Sequence, residues 1–231
     1  MMRFDILTIF PRYFDSPLRE SLLAKAREKG VVEVAVHDIR DFSRDPHRKV
    51  DDEPYGGGAG MVMTAPVVAA AIEGVRNLSG ASPATTILLT PSGRRFDHQL
   101  ATELSKLPRL LLVCGRYEGI DHRVGEAGLY DLEVSLGDFV LSGGEAAALA
   151  VLEACARLLP GFVKELESVE NDSFFRGLLD FPHYTRPREW RGLPVPDVLL
   201  SGHHAEITRW RRQQAEQLTR EKRPDLLPHE E

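Results

Sequence analysis

Short apolar runs of strand length alternate with segments of helical period through the first 160 residues. That alternation predicts an α/β domain on a mostly parallel sheet. Strands are expected at residues 4–10, 31–37, 86–90, 109–114 and 132–135. Between the first two, Ser16 followed by Pro17 has the form of an N-cap with proline at the first helical position. Leu18, Leu22, Leu23 and Ala26 then make one apolar face, and Gly30 ends the helix. Further helices are expected over residues 66–78, over 97–106 with Asp97 as cap, and over 144–158 as an alanine-rich buried helix.

The pattern changes after Pro160-Gly161. Residues 162–175 follow neither period and are rich in acids, which predicts a linker between a domain over residues 1–161 and a small helical domain over 176–231. In the latter, Ser201 is placed to cap a helix over residues 203–220.

With 231 residues, 42% of them apolar, the chain can bury one full core and still form a small second domain. The net charge of −6 argues against coating nucleic acid by bulk electrostatics. Charge is nevertheless segregated: between His183 and Arg223 nine Arg or Lys stand against five acids, a balance of +4 that leaves about −10 elsewhere. A basic helical tail on an acidic domain suits an RNA-facing module, with Arg209, Arg211 and Arg212 around Trp210 as candidate phosphate contacts. The same spacing also describes a solvated helix with Trp210 and Ile207 packed inward. Two cysteines, Cys114 and Cys155, both in apolar surroundings, disfavour a disulfide framework or a cysteine-rich zinc site. No signal segment or run of membrane-spanning length is legible, so a cytoplasmic protein is expected.

Most nucleotide and hydrolase signatures are missing. The run Gly56-Gly57-Gly58-Ala59-Gly60 lacks dinucleotide-binding spacing, no Gly-Lys pair forms a P-loop, and neither a G-x-S-x-G elbow nor an H-E-x-x-H motif occurs. His203-His204 has no third spaced metal ligand. What remains are three glycine-marked turns after predicted strands: Thr90-Pro91-Ser92-Gly93, Cys114-Gly115-Arg116-Tyr117-Glu118-Gly119, and residues 135–145 around Gly137, Gly143 and Gly144. Ligands in open α/β sheets sit outside the carboxyl ends of the strands, so the three turns are candidates to line one pocket. In the loop His47-Arg48-Lys49-Val50-Asp51-Asp52, a carboxylate suits a guanine edge and the cations suit phosphates; a plain surface loop is the alternative. Asp172 before Ser173-Phe174 reads as an ordinary helix cap, and Arg157 as complementing its helix dipole.

The blocks Val50-Asp51-Asp52-Glu53-Pro54-Tyr55-Gly56-Gly57-Gly58-Ala59-Gly60-Met61, residues 112–121, residues 137–145, Gly177-Leu178-Leu179-Asp180 and Pro182-His183-Tyr184-Thr185-Arg186-Pro187 together resemble the bacterial tRNA (guanine-N1)-methyltransferase family, TrmD. The likeness spans essentially the whole chain. It implies a SPOUT-type α/β fold with a C-terminal trefoil knot in the cofactor domain, an architecture that sequence rules alone would reject because knots are rare. It also implies an obligate homodimer with composite active sites. S-adenosyl-L-methionine is the implied methyl donor and tRNA the substrate, methylated at N1 of the guanosine just 3′ of the anticodon. Some members of the family need magnesium, but no ligand cluster here identifies its site.

By the same resemblance the cofactor is contacted by Leu88, Leu89, Thr90 and Pro91, by Gly115, Tyr117, Glu118 and Gly119, and by Leu136, Gly137, Asp138, Phe139, Val140, Leu141, Gly143 and Gly144. Asp172 matches the general base and Arg157 its partner, while His47, Arg48 and Asp51 fall on the substrate side. Ser92, Phe139 and Asn171 depart from the commonest pattern, which has glutamine, tyrosine and glutamate there. Two other readings compete: a knotted methyltransferase for ribosomal RNA or a ribose hydroxyl, and a non-catalytic RNA-binding regulator. Ribose methylation gives Asp51 no guanine edge to read, and a regulator would not need intact cofactor loops or Asp172.

Overall fold

A computed structural model describes residues 1–78, 80–164 and 171–227. The chain divides into two compact units, Met1–Lys164 and Glu165–Glu231. The first reaches beyond residue 161 because Phe162 is buried in its core, with Val163 packed alongside. The expected linker therefore starts inside the folded unit, and its residues 165–170 lie outside the described residues.

In chain order the first unit contains β1 (Met2–Thr8), α1 (Ser21–Glu28), β2 (Val32–Asp38), β3 (Asp51–Asp52), β4 (Val62–Met63) and α2 (Ala65–Arg76). It continues with β5 (Thr85–Arg95), α3 (His98–Ser105), β6 (Arg109–Cys114), α4 (Arg123–Glu126), β7 (Leu132–Ser135) and α5 (Glu145–Arg157). Five strands form an all-parallel sheet in the order β2-β1-β6-β5-β7, and β3 pairs with β4 in a separate antiparallel ribbon. Both faces of the central strands are covered. Phe4, Ile6, Leu110 and Leu112 share a core with Val151 and Leu152 of α5, while Leu7, Leu111 and Val113 share another with Val68 and Ile72 of α2. A strand buried on both faces can be apolar at every position, which explains the unbroken run from Leu110 to Cys114.

Three local expectations are corrected. β1 ends at Thr8 and not at Phe10, because the Thr8 hydroxyl accepts the Phe10 backbone N–H at 2.9 Å and turns the chain into the 3₁₀ turn Pro11–Phe14. The helix expected after Ser16 is interrupted. Ser16 makes no capping bond, Pro17–Arg19 is a single 3₁₀ turn, and Glu20 is extended (φ −115°, ψ 153°) before α1 begins. That break shifts the helical phase, so Leu22 faces outward while Leu18, Leu23 and Ala26 stay buried; Gly30, at φ +68°, ends the helix as expected. Lastly, β5 does not stop at Thr90. It continues through a bulge between Leu89 and Arg94, and a side chain at Gly93 would run into the backbone of Glu133 and Val134. Asp97 does cap α3, its carboxylate accepting the Leu100 N–H at 2.8 Å.

In the second unit, Glu189–Trp190 and Leu193–Pro194 form an antiparallel hairpin, followed by the short helix Asp197–Leu200 and the long helix His204–Lys222. Ser201 is not the cap of the long helix. Its hydroxyl donates to the Val198 carbonyl at 2.8 Å and accepts the His203 N–H at 3.1 Å, so the helix starts at His204. Thr219, fully buried, anchors the unit by accepting the Leu179 N–H at 2.9 Å. Trp210 is half-buried, 6.2 Å from the Tyr184 ring.

Candidate active site

The carboxyl ends of β5, β6 and β7 open onto one cavity of about 380 Å³, the size range of small-ligand clefts. Its wall is assembled from the three glycine-marked segments because parallel strands all end on the same side. The segments after β6 and β7 touch directly: the Gly144 N–H donates to the Gly115 carbonyl at 3.0 Å. A methyl group at Gly144 would lie 2.7 Å from Cys114 Cα, so only glycine permits this approach.

One buried acid holds the crossing together. Glu145, 1% exposed, accepts the Thr8 hydroxyl at 2.7 Å and Arg116 Nε at 3.0 Å. Arg116 Nη1 in turn donates to the Ser142 carbonyl at 3.0 Å, and its guanidinium stands 4.6 Å over the Phe10 ring. A buried carboxylate is tolerated only when so paired. Tyr117 has φ +61°, a left-handed conformation that costs a non-glycine residue roughly 1–2 kcal/mol. The turn is closed by the Gly119 N–H on the Arg116 carbonyl at 3.1 Å and is held from outside, the Glu118 N–H donating to the Met61 carbonyl at 3.0 Å and the Met63 N–H to the Gly119 carbonyl at 2.9 Å.

The far wall is polar. The Tyr130 hydroxyl donates to Glu133 at 2.6 Å, a bond that, with burial, pushes its pKa up to about 12. Asp121 is held down to about 2 by hydrogen bonds from Arg123. Beneath the cavity, burial pushes the Cys114 thiol well up, with Glu145 adding to the effect, so no thiolate is offered there.

Of the residues expected to hold a cofactor, Leu88, Leu89, Thr90, Pro91, Gly115, Tyr117, Glu118, Gly119, Leu136, Phe139, Val140, Leu141, Gly143 and Gly144 line this cavity. Gly137 and Asp138 do not. They form a tight turn, closed by Phe139 N–H on the Gly137 carbonyl at 2.9 Å and by bonds to the Ser135 hydroxyl. Arg116, from the turn after β6, lines it as well, and Tyr130 and Glu133, which lie outside the three turns, were not expected there. Glu145 and Thr8 lie 137 positions apart, so no local pattern links them.

The loop expected to meet the substrate is attached to the same wall through its backbone. Asp51 pairs with Met63, which bridges to Ile120. Arg48 is already engaged by Asp41 and, at 3.6 Å, by Asp38, while the His47 N–H is taken by Asp45. Arg157 is the last residue of α5 in the first unit; Asp172 belongs to the second. Asp172 does not start a helix: residues 171–178 form turns and bends, and its carbonyl accepts the Phe175 N–H at 3.4 Å. On the long helix, Arg209, Arg211 and Arg212 are exposed; Arg212 pairs with Glu216 at 2.9 Å and Arg211 lies 4.8 Å over Phe181.

The family profile for tRNA (Guanine-1)-methyltransferase TrmD matches residues 2–229. The chain is 56% identical to a tRNA (guanine-N(1)-)-methyltransferase of Geobacter sulfurreducens, over 98% of this chain and 91% of that protein. It is also 56% identical to one of Chloroflexus aurantiacus, over 98% and 88%, and 51% identical to one of Pelotomaculum thermopropionicum, over 98% and 90%. A match at this level along nearly the full length of both partners, with the glycine-marked cavity intact, means that the chain belongs to the tRNA (guanine-N1)-methyltransferase family, TrmD.

Proposed function

We propose that the chain transfers the methyl group of S-adenosyl-L-methionine to N1 of the guanosine immediately 3′ of the anticodon, tRNA position 37. The observation that carries this reading is the convergence of three glycine-marked segments on one cavity at the carboxyl edge of the sheet, in a chain matched to this family end to end. The donor set fits the cofactor. Leu89, Leu136 and Leu141 offer apolar faces for a purine, the absence of side chains at Gly115, Gly143 and Gly144 lets a ligand approach the backbone closely, and Glu118 is assigned to its ammonium group. When bound, the sulfonium supplies an electrophilic methyl group.

The chain's own residues have two tasks. N1 of guanine carries a proton and becomes nucleophilic only when a base removes it, the role assigned to the Asp172 carboxylate. Negative charge then grows on O6, where the Arg157 guanidinium is the stabilising group. Asp51 is assigned to a neighbouring guanine edge, and His47 and Arg48 to phosphates. Arg209, Arg211 and Arg212 are assigned to the tRNA backbone. Exposed pairs such as Arg212–Glu216 contribute only about 0–1 kcal/mol, so exchanging the carboxylate for a phosphate is inexpensive. Among the described residues no three His, Cys, Asp or Glu side chains converge as a metal cluster, and no step is assigned to magnesium.

The knotted SPOUT topology, the cytoplasmic setting and a homodimer whose partner completes each active site belong to this same reading, supported by the family match. No helix among the described residues is long and apolar enough to cross a membrane. The decisive experiment incubates the protein with methyl-labelled S-adenosylmethionine and unmodified tRNA and maps the product. Label at N1 of guanosine 37 is expected; label on ribose, on another base, or nowhere refutes the assignment.

Gly144→Ala tests the cavity directly. With its new methyl group 2.7 Å from Cys114 Cα, the two segments must separate. We expect S-adenosylmethionine affinity by calorimetry to fall at least ten-fold, with the circular dichroism spectrum retained. Wild-type affinity would remove the cofactor from this crossing.

A further inference from the structure

The hairpin of the second unit is built to a tight specification. Its two-residue loop, Arg191-Gly192, has φ of +53° and +78°, the doubly left-handed pattern of a type I′ turn, which sets strand register. Glu189 pairs with Pro194 and Trp190 with Leu193, and the Val195 N–H closes the base on the Arg188 carbonyl at 2.8 Å. Yet this tip buries little. Trp190 is 57% and Leu193 68% exposed, and the Arg191 guanidinium sits 4.6 Å from the indole centroid.

The charge around it is distinctive. Arg186, Arg188 and Arg191 crowd into six positions against Glu189 alone. Among the described residues none of these three arginines is ion-paired, whereas Arg212 and Arg223 are satisfied by Glu216 and Asp225. A large exposed aromatic ring flanked by unneutralised guanidinium groups matches the two demands of single-stranded nucleic acid, a π-face for a base and cations for its phosphates.

We propose that the Trp190–Arg191 hairpin is an RNA-stacking site, in which the indole takes an unpaired base of the tRNA while Arg191 and Arg188 hold the adjoining phosphates. The identity of the RNA rests on the function proposed above; the stacking chemistry rests on the hairpin. The site is separate from the helix arginines, and it uses a base face where they use phosphates alone.

The test measures binding of a fluorescein-labelled, unmodified tRNA transcript to the full chain across a salt series. Trp190→Ala is expected to weaken binding about ten-fold or more, with the salt dependence unchanged, and Trp190→Phe to restore most of the loss. Arg191→Ala is expected to reduce the salt slope by about one phosphate contact. Affinity for S-adenosylmethionine should be unaltered in all three. Wild-type tRNA affinity in Trp190→Ala overturns the proposal, as does a loss of native assembly mass in sedimentation without RNA, which would make the hairpin a protein contact. If the unsubstituted chain neither binds tRNA nor methylates guanosine 37, the functional reading falls and this proposal falls with it.

Discussion

Asp172→Ala is expected to slow methyl transfer in single turnovers by about 10² to 10⁴, the range over which a positioned general base contributes. At 1.36 kcal/mol per factor of ten, that is roughly 3–5 kcal/mol of lost transition-state stabilisation. The origin is the chemistry of guanine, whose N1 lone pair becomes available only when the N1 proton leaves. Asp172 lies in a turn-rich segment and not at the start of a helix. Binding of S-adenosylmethionine should survive, because the cavity is lined entirely by residues of the first unit. Asp172→Asn, which keeps shape and removes basicity, should be nearly as slow. A near wild-type single-turnover rate in either variant would show that another group takes the proton.

The largest expected loss of stability comes from Asp5→Ala. Asp5 and Arg109 are both fully buried. Arg109 donates Nε to Asp5 at 2.7 Å, Nη2 to the Val75 carbonyl at 2.6 Å, and Nη1 to the carbonyls of Ser82 at 3.0 Å and Arg76 at 3.2 Å. The guanidinium thus satisfies orphan carbonyls at the end of α2 and complements that helix's dipole. Asp5 also accepts from Arg3 at 2.9 Å and from His37 at 2.7 Å, joining β1, β2 and β6. Removing the carboxylate leaves a buried cation unpaired, which costs about 3–5 kcal/mol. For a domain of this size the midpoint of thermal unfolding should fall by roughly 10 °C.

The same cluster sets a pH dependence. Burial works to raise the Asp5 carboxyl, but hydrogen bonds from His37, Arg3 and Arg109 outweigh it and hold the group well below the usual carboxylate range. Because the folded value is depressed, the stabilisation is fully present above the unfolded value, about 4, and is lost as pH falls toward the folded value. The difference in urea midpoint between wild type and Asp5→Asn should therefore be large at pH 7 and shrink at pH 3. An equal difference at both pH values would contradict the assignment.

These two acids show how unevenly the sequence speaks. Local patterns were legible wherever a short-range cause acts: β6 and β7 occupy the residues their apolar runs indicate, and Asp97 caps α3 three residues ahead of the amide it binds. They misled where a distant or lateral contact intervenes. The Thr8 hydroxyl ends β1 early, the extended Glu20 splits a continuous helical pattern, and Gly93 lets β5 bulge against β7. Asp5, a lone acid in an apolar strand, carries no sign of the arginine 104 positions away that fixes its role.

The sequence by itself determined the class of fold, the three turns of the cavity and the family, because these depend on hydrophobic period, glycine placement and rare contiguous blocks. Tertiary structure alone decided that Gly115 and Gly144 meet, that Glu145 is latched by Thr8 and Arg116, and that Gly137 and Asp138 stand outside the cavity. Strand order and loop crossing bring together residues far apart in the chain. No local propensity encodes such encounters, since their energies arise only once the backbone has closed around them.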